Sequence, residues 1–305
     1  MNYWDMLPEG CIAEIVSHTT PVDACRVALV SAAVRSAADS DPVWDKFLPP
    51  DYRQLIARAV ENQPIHQLLS ASPSKKDLYL SLAHHPLVID AGDMSFSLDK
   101  RTGKKCFMMG ARALTILWGD NPSYWSWRSD SGSRFGKSIE LISVWWFEIH
   151  GRISTSLLSG DTVYTTYLVY KPTKTLHGFE DLPLEISVGI DGEESIKRNV
   201  FVDPEGVVQR ENVTRPRRMG LFHNFRGGRQ NPRTRKDGWL EIELAEYYNK
   251  EGENRELQII LWEEKSGNRK SGLIIQGLEI RPMHRRLDKF WGPVQKLLME
   301  PQIFI

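Results

Sequence analysis

The spacing of apolar residues changes along the chain. Up to about residue 85 the spacing is three and four. In LPEGCIAEIVSH, the residues Leu7, Cys11, Ile12, Ile15 and Val16 recur at that spacing, which puts them on one face of a helix. Pro8 suits a first helical turn, where its missing N–H costs nothing. PVDACRVALVSAAVRSAAD is rich in alanine and carries Val22, Cys25, Leu29 and Val30 as an apolar stripe. Asp41-Pro42 opens a short helical turn with Trp44, Phe47 and Leu48 apolar, and Pro49-Pro50 ends it. Residues 51–60 and 75–84 read as further short helices.

After about residue 90 the period becomes two. In SIELISVWWFEIH, the residues Ile139, Leu141, Trp145, Phe147 and Ile149 share one face, and Ile142, Val144 and Trp146 make the other face apolar too. A strand apolar on both sides predicts a central position covered on both faces, with Trp145 and Trp146 in the core. TVYTTYLVY, LEISVGI, WLEIEL, LQIILW and GLIIQGLEI follow as further strands, separated by Gly, Pro and Asp turns with no long helical pattern between them. That order predicts an antiparallel sandwich rather than a doubly wound parallel sheet. The expected fold class is α+β and multidomain. A small all-helical module occupies residues 1–48 and a helical connector 49–88. An all-β antiparallel sandwich spans 89–282, and a helical tail with Phe290, Trp291, Val294 and Leu298 spans 283–305.

Charge narrows the partners. Lys+Arg and Asp+Glu both number 39, so nucleic acid and membrane surfaces are not expected as main partners. Cys11, Cys25 and Cys106 form no CxxC pair, which argues against a disulfide framework or structural zinc and for a reducing compartment, cytoplasmic or nuclear. No apolar run reaches the length of a membrane span, and MNYWDMLPEGC lacks the basic head and apolar stretch of a signal peptide. There is no HExxH, GxSxG or phosphate loop, so no catalytic residue, metal or cofactor is expected. The one enzymatic alternative, a glycoside hydrolase, needs two carboxylates across a cleft.

Tryptophan is the unusual residue: ten occur, and WGDNPSYWSW, residues 118–127, holds three around a polar turn. An indole offers a flat face to the C–H side of a pyranose ring, and nearby polar groups take the hydroxyls. Trp118 and Trp125, with Asp120, Asn121, Ser123 and Tyr124, are therefore candidates for a carbohydrate site. The alternative is that all three rings are core pins. Trp125 and Trp127 are two apart and share a side of an extended segment. Trp127 is expected to be a core pin.

Two stretches resemble known families. In residues 7–48, Leu7-Pro8 with Ile12 and Ile15, Pro21 to Arg26, Leu29-Val30-Ser31, and Asp41, Val43, Trp44 and Phe47 resemble an F-box in their order. The resemblance implies docking to a Skp adaptor, and through it to a cullin scaffold, with Leu7, Pro8, Ile12, Ile15, Leu29, Val30 and Trp44 as contacts. From the pattern alone, the same apolar residues serve equally well to pack on the β domain. GKKCFMMGARALTILWGDNPSYWSW, then SVWWFEIHGRISTSLLSGDTVYTTYLVYK, RKDGWLEIELAEYY and SGLIIQGLEIRP resemble the phloem protein 2-like domain. That plant family includes the Nictaba-type lectins, with a jelly-roll-like sandwich. It implies a carbohydrate site of the GlcNAc or N-glycan type on Trp118 and Trp125, with acidic residues later in the domain. Glu241, Glu246, Glu263 and Glu264 are candidates for those.

Together the resemblances imply a non-catalytic, substrate-recognition subunit of an SCF-type ubiquitin ligase that selects glycosylated proteins. The alternative is a receptor whose β domain binds a protein surface, with a vestigial sugar site. Residues 210–236 carry nine Arg or Lys against one acid, Glu211. They read as a solvated loop, or as a site for an acidic segment or RNA with Phe222 and Phe225 interleaved.

Overall fold

The computed structural model describes residues 7–179, 183–203 and 232–284. The expected helical tail beyond His284 and residues 210–231 of the basic stretch lie outside these. The described chain starts with short helices: α1 (Glu9–Ser17), α2 (Pro21–Val27), α3 (Ala32–Asp39), α4 (Asp41–Phe47), α5 (Tyr52–Ala57), α6 (Pro64–Ser70) and α7 (Lys75–His84). The alanine-rich stretch is two helices rather than one. Thr20 caps α2 by accepting from the Asp23 N–H, and Ser31, fully extended, caps α3 by accepting from the Val34 N–H. Leu29 and Val30 therefore sit in the link between helices and not on a helical stripe. α6 buries only Ile65, too little for a periodic signal to reveal it.

Fourteen strands follow among the described residues, all paired antiparallel: β1 (Leu87–Ile89), β2 (Met94–Leu98), β3 (Lys105–Gly110), β4 (Thr115–Ile116), β5 (Trp125–Ser129), β6 (Lys137–Leu141), β7 (Phe147–Ser154), β8 (Thr162–His177), β9 (Leu184–Ile190), β10 (Ile196–Val200), β11 (Arg233–Thr234), β12 (Leu240–Asn249), β13 (Glu256–Glu263) and β14 (Ser271–Pro282). The larger sheet has the order β1-β2-β3-β14-β8-β12-β11, with β6 also on β14 and β5 on β6. The smaller has the order β10-β9-β13-β7-β4. The two meet as a sandwich. Gly151 of β7 lies against Leu278 of β14 so closely that a Cβ there would stand 2.7 Å from Leu278 Cδ1. Along β7, β9 and β13 every second residue is buried and the alternate ones face away, as a sheet with one covered face requires.

SIELISVWWFEIH is not one central strand. β6 belongs to the larger sheet and β7 to the smaller, and residues 142–146 cross between them. The crossing interrupts the alternation, so Trp145 and Trp146 are not core residues but are 59% and 56% exposed. Ser143, the one polar residue on the supposed inner face, marks the break.

The crossover is held from inside. Val144 and Lys270 exchange backbone hydrogen bonds of 3.0 and 2.7 Å. The Lys270 ammonium, wholly buried, donates to the Trp145 carbonyl at 2.8 Å, and to Ser266 Oγ and the Asn268 carbonyl, both at 3.1 Å. It also pairs with Glu263, itself buried, which accepts from the Ser266 N–H at 2.7 Å and hydroxyl at 2.8 Å. Burial raises the Glu263 pKa, but the bonds from Lys270 and Ser266 outweigh that and leave it below the usual range.

On the far side of the larger sheet, Glu279 accepts from Arg235 at 2.6 Å, Arg134 at 3.1 Å and Arg281 at 3.1 Å, and Glu241 joins through Arg235 at 3.0 Å and Arg281 at 2.9 Å. Burial pushes Glu279 up, but the three guanidiniums together hold it at about 2.

The helical region and the sandwich share one core. Trp44 packs on Tyr79 at 5.1 Å between ring centroids, and the Tyr79 hydroxyl donates to the Asp99 carbonyl at 3.0 Å. Lys105 reaches back to Asp51 at 2.9 Å. Gly103 has φ +72 and so close an approach that a Cβ would lie 2.8 Å from the Phe47 carbonyl oxygen.

Two outcomes follow from the buried charges. Lys270→Met strands the Glu263 carboxylate and should cost about 3–5 kcal/mol in equilibrium urea unfolding, with part recovered when Glu263→Met is added. Glu279 has a depressed pKa, so its contribution to stability is present above the unfolded value near 4.5 and is lost as pH falls towards about 2. The thermal midpoint should therefore fall on acidification below pH 4.5, less steeply in Glu279→Gln.

Candidate functional site

Two separate surfaces expose side chains that a folded chain would normally bury. The first is on the helical module. α1 turns Ile12 and Val16 inward and leaves Ile15 exposed. Leu7 and Pro8, just ahead of the helix, are exposed as well. The link after α2 is tight: the Leu29 N–H donates to the Arg26 carbonyl at 3.1 Å and the Val30 N–H to the Val27 carbonyl at 3.0 Å. It displays Leu29, 77% exposed, and Val30 beside it. Five of the seven expected adaptor contacts are thus on the surface. Ile12 and Trp44 are not. Trp44 is fully buried, with its indole N–H donating to the Ala38 carbonyl at 2.8 Å. Both residues are buried within the module.

The second surface lies where the turn before β5 meets the crossover between sheets. The turn is fixed by Asn121. Its N–H donates to the Trp118 carbonyl at 2.9 Å, and its side-chain oxygen accepts from the Ser123 N–H at 2.9 Å. Its carbonyl accepts from the N–H groups of Tyr124 at 2.9 Å and Trp125 at 3.0 Å. The polar run Asp-Asn-Pro-Ser is therefore a folding element: an Asx turn that reverses the chain. The Leu117 N–H donates to the Glu148 carbonyl at 3.1 Å and ties the turn to β7. The Tyr124 carbonyl accepts from Ile142 at 2.9 Å and Ser143 at 3.2 Å, which ties it to the crossover.

These clamps bring rings together from both segments. Trp118 stacks on Trp146 at 6.0 Å with 24° between planes, and meets Tyr124 at 5.5 Å and 48°. Trp118 is 41% exposed, and Tyr124 and Trp146 are exposed with it. Asp120, Asn121 and Ser123 are exposed on the same turn. Trp118 has φ +57, a left-handed backbone that a bulky residue rarely adopts. Such a conformation persists only where the surroundings impose it, and here it aims the indole at Trp146.

Trp125 is not part of this surface. It is 2% exposed, donates its indole N–H to the Leu117 carbonyl at 3.1 Å, and packs on Phe147 at 6.1 Å. It is the core pin, and Trp127, expected in that role, is exposed. β5 pairs only with β6, so it ends its sheet, and of its residues only the first reaches the core. The partner that Trp118 does have, Trp146, carried a misleading signal, because its alternation placed it inside a strand.

The four later carboxylates divide. Glu241 is held by Arg235 and Arg281, and Glu263 by Lys270 and Ser266. Glu246 lies on β12 opposite Thr165. Of the four only Glu264 is exposed; it directly follows Glu263, whose cross-strand partner is Phe147.

The sequence matches the F-box domain family over residues 4–46 and the phloem protein 2 family over residues 104–282. Among curated proteins of Arabidopsis thaliana, it is 41% identical over 281 residues to the F-box protein PP2-B10, covering 92% of this chain and 94% of that one. It is 38% identical over 311 residues to the F-box protein PP2-B1, covering 92% and 90%. It is 39% identical over 285 residues to the F-box protein VBF, covering 91% and 99%. With both modules matched in this order, and with relatives that align along nearly the whole of it, the chain belongs to the plant F-box phloem protein 2 family.

Proposed function

We propose that this chain is the substrate receptor of an SCF-type ubiquitin ligase, docking a Skp adaptor with its helical module and holding a glycan of the GlcNAc or N-glycan type on its β domain. Ubiquitin transfer needs no chemistry from such a subunit. It acts by raising the concentration of its substrate near the transferase.

The observation that carries the glycan reading is the stacked, exposed pair Trp118–Trp146 with Tyr124 beside it, rimmed by Asp120, Asn121 and Ser123. A protein that leaves two indoles in water forgoes their burial, worth about 1.5–3 kcal/mol for a large apolar side chain. A sugar ring recovers that by covering the faces while the turn supplies hydrogen bonds. For the adaptor, the corresponding observation is Leu29 and Val30 displayed on a tight link beside Leu7 and Ile15. A second reading, a protein segment on the same rings, draws support from Ile142, an exposed aliphatic residue whose N–H is bonded to the Tyr124 carbonyl.

Leu29→Asp with Val30→Asp should abolish co-purification with a Skp adaptor and leave the thermal midpoint nearly unchanged, because both side chains are exposed. Retained association would remove the docking assignment. On a glycan array, Trp118→Ala and Trp146→Ala should each lose binding about tenfold or more without unfolding. Trp125→Ala should instead lower stability by about 3–5 kcal/mol, read by urea unfolding. An array on which the unaltered chain binds no glycan favours the protein-segment reading.

A further inference from the structure

The smaller sheet has a second face, turned away from the core. The outward residues of β7, β13 and β9 are half-buried or exposed, and among the described residues no helix or strand layer is stacked on them. Their register is fixed by the strand pairing. Trp262 of β13 stands directly between Glu148 of β7 and Glu185 of β9, and Asn199 of β10 continues the same row. In the next row His150 flanks Ile260. An indole in mid-sheet with a carboxylate on either side is an arrangement that sheet stability does not require, since it places two acids across from an aromatic ring.

This face has a closed end and an open end. At the far end of β9, Gly189 faces outward, and a Cβ there would lie 2.9 Å from the Ser195 Cα. The turn before β10 thus folds over the sheet, and Ser195 is bonded to Ser187 at 2.7 Å. At the other end Glu148 joins the aromatic cluster. Its carbonyl accepts from Leu117, the neighbour of Trp118, and Trp146 precedes it by two residues, about 7 Å of extended chain. The strand register thus places Trp262 opposite Glu148, two residues along the chain from Trp146.

We propose that the Trp262 row is an extension of the glycan site, which takes the following sugar units of an oligosaccharide whose first unit lies on Trp118 and Trp146. This rests on the glycan reading above. The chemistry of the row favours sugar over a basic peptide. Glu148 already accepts from His150 at 2.6 Å and Glu185 pairs with Lys265, so each carboxylate already has a partner at its side. Each keeps further lone pairs for hydroxyl donors, and Asn199 offers both donor and acceptor. Trp262 supplies the apolar face that a pyranose ring needs. Glu148, Glu185 and Trp262 would be contact residues, and His150, acting through Glu148, a positioning residue.

The test is calorimetry on the full chain with N-acetylglucosamine and its β1,4-linked tetramer. The unaltered protein should bind the tetramer about tenfold more tightly than the monomer. Trp262→Ala should remove that advantage and leave monomer affinity unchanged, while Trp262→Phe, which keeps an aromatic face, should retain part of it. His150→Ala should reduce tetramer affinity alone. Trp118→Ala should weaken both sugars. An unchanged tetramer-to-monomer ratio in folded Trp262→Ala overturns the extension and leaves the ring platform standing. Failure of both sugars to bind the unaltered chain overturns the glycan reading and the extension with it. An oligolysine peptide that binds the unaltered chain but not Trp262→Ala, with no effect of that change on the tetramer, would reassign the row to a basic protein segment.

Discussion

A buried lysine ties the β domain together where the chain passes from one sheet to the other. Removing the Lys270 ammonium and the Glu263 carboxylate from water costs several kcal/mol per ion, and their mutual attraction offsets this only when the remaining donors and lone pairs are also used. They are used here, by the Trp145 carbonyl, Ser266 and Asn268. A hydrophobic pair of similar volume would fill the space, but it would not bond the Trp145 carbonyl and so would not fix the backbone of the crossover. The ion pair thus sets the conformation of residues 142–146, and through it the direction in which Trp146 points.

From that anchor the ring surface follows by short steps. Trp146 needs a partner across the gap, and Trp118 comes to it only because Asn121 reverses the chain and the Leu117 and Tyr124 backbones are bonded to β7 and the crossover. Trp125, buried beneath, closes the loop by donating to the Leu117 carbonyl. The exposed rings therefore stand on a base with little freedom, which limits the ordering cost of receiving a ligand. The same economy of motion holds between modules. Tyr79, Lys105 and Gly103 join the helical region to the sandwich through buried contacts, so the apolar residues at Leu29 and the rings at Trp118 belong to one packed body. For a receptor this means that substrate orientation relative to the adaptor is set by packing rather than by a linker.

Much of this was legible in the sequence, and the failures have physical causes. Strand alternation revealed the antiparallel sandwich most clearly in the smaller sheet, where β7, β9 and β13 have one covered face, which enforces a period of two. The same rule failed at SIELISVWWFEIH because periodicity reports the phase of a strand and not its continuity. A chain that leaves one sheet and enters the other can keep its apolar character, and even its phase, while the alternation lapses between the two strands. Trp125 and Trp127 were correctly expected on one side of an extended segment, but a shared side does not mean shared depth when the strand ends its sheet. Ile12 and Trp44 show the converse. Family resemblance marks residues that a module needs, and it does not separate those that form its core from those that touch a partner. The pairing of Lys270 with Glu263 gave no signal in the sequence, since it exists only once β13 and β14 have folded around the crossover.

The left-handed backbone at Trp118 bears on whether the rings are incidental. A bulky residue at positive φ costs on the order of 1–3 kcal/mol, and a glycine or asparagine at that position would relieve it. If the turn served only to reverse the chain, the Asn121 bonds would do so without an indole at its strained corner. Burial does not explain the indole, because the ring remains in water on one side, and its contacts are to Trp146 and Tyr124, themselves exposed. The stability given up at Trp118 and the apolar surface left open at three neighbouring rings are costs incurred at one place. They are repaid within the free protein only by the ring contacts themselves, worth about 0.5–1.5 kcal/mol each. That deficit is what one expects where a surface is shaped for a ligand that is not part of the chain.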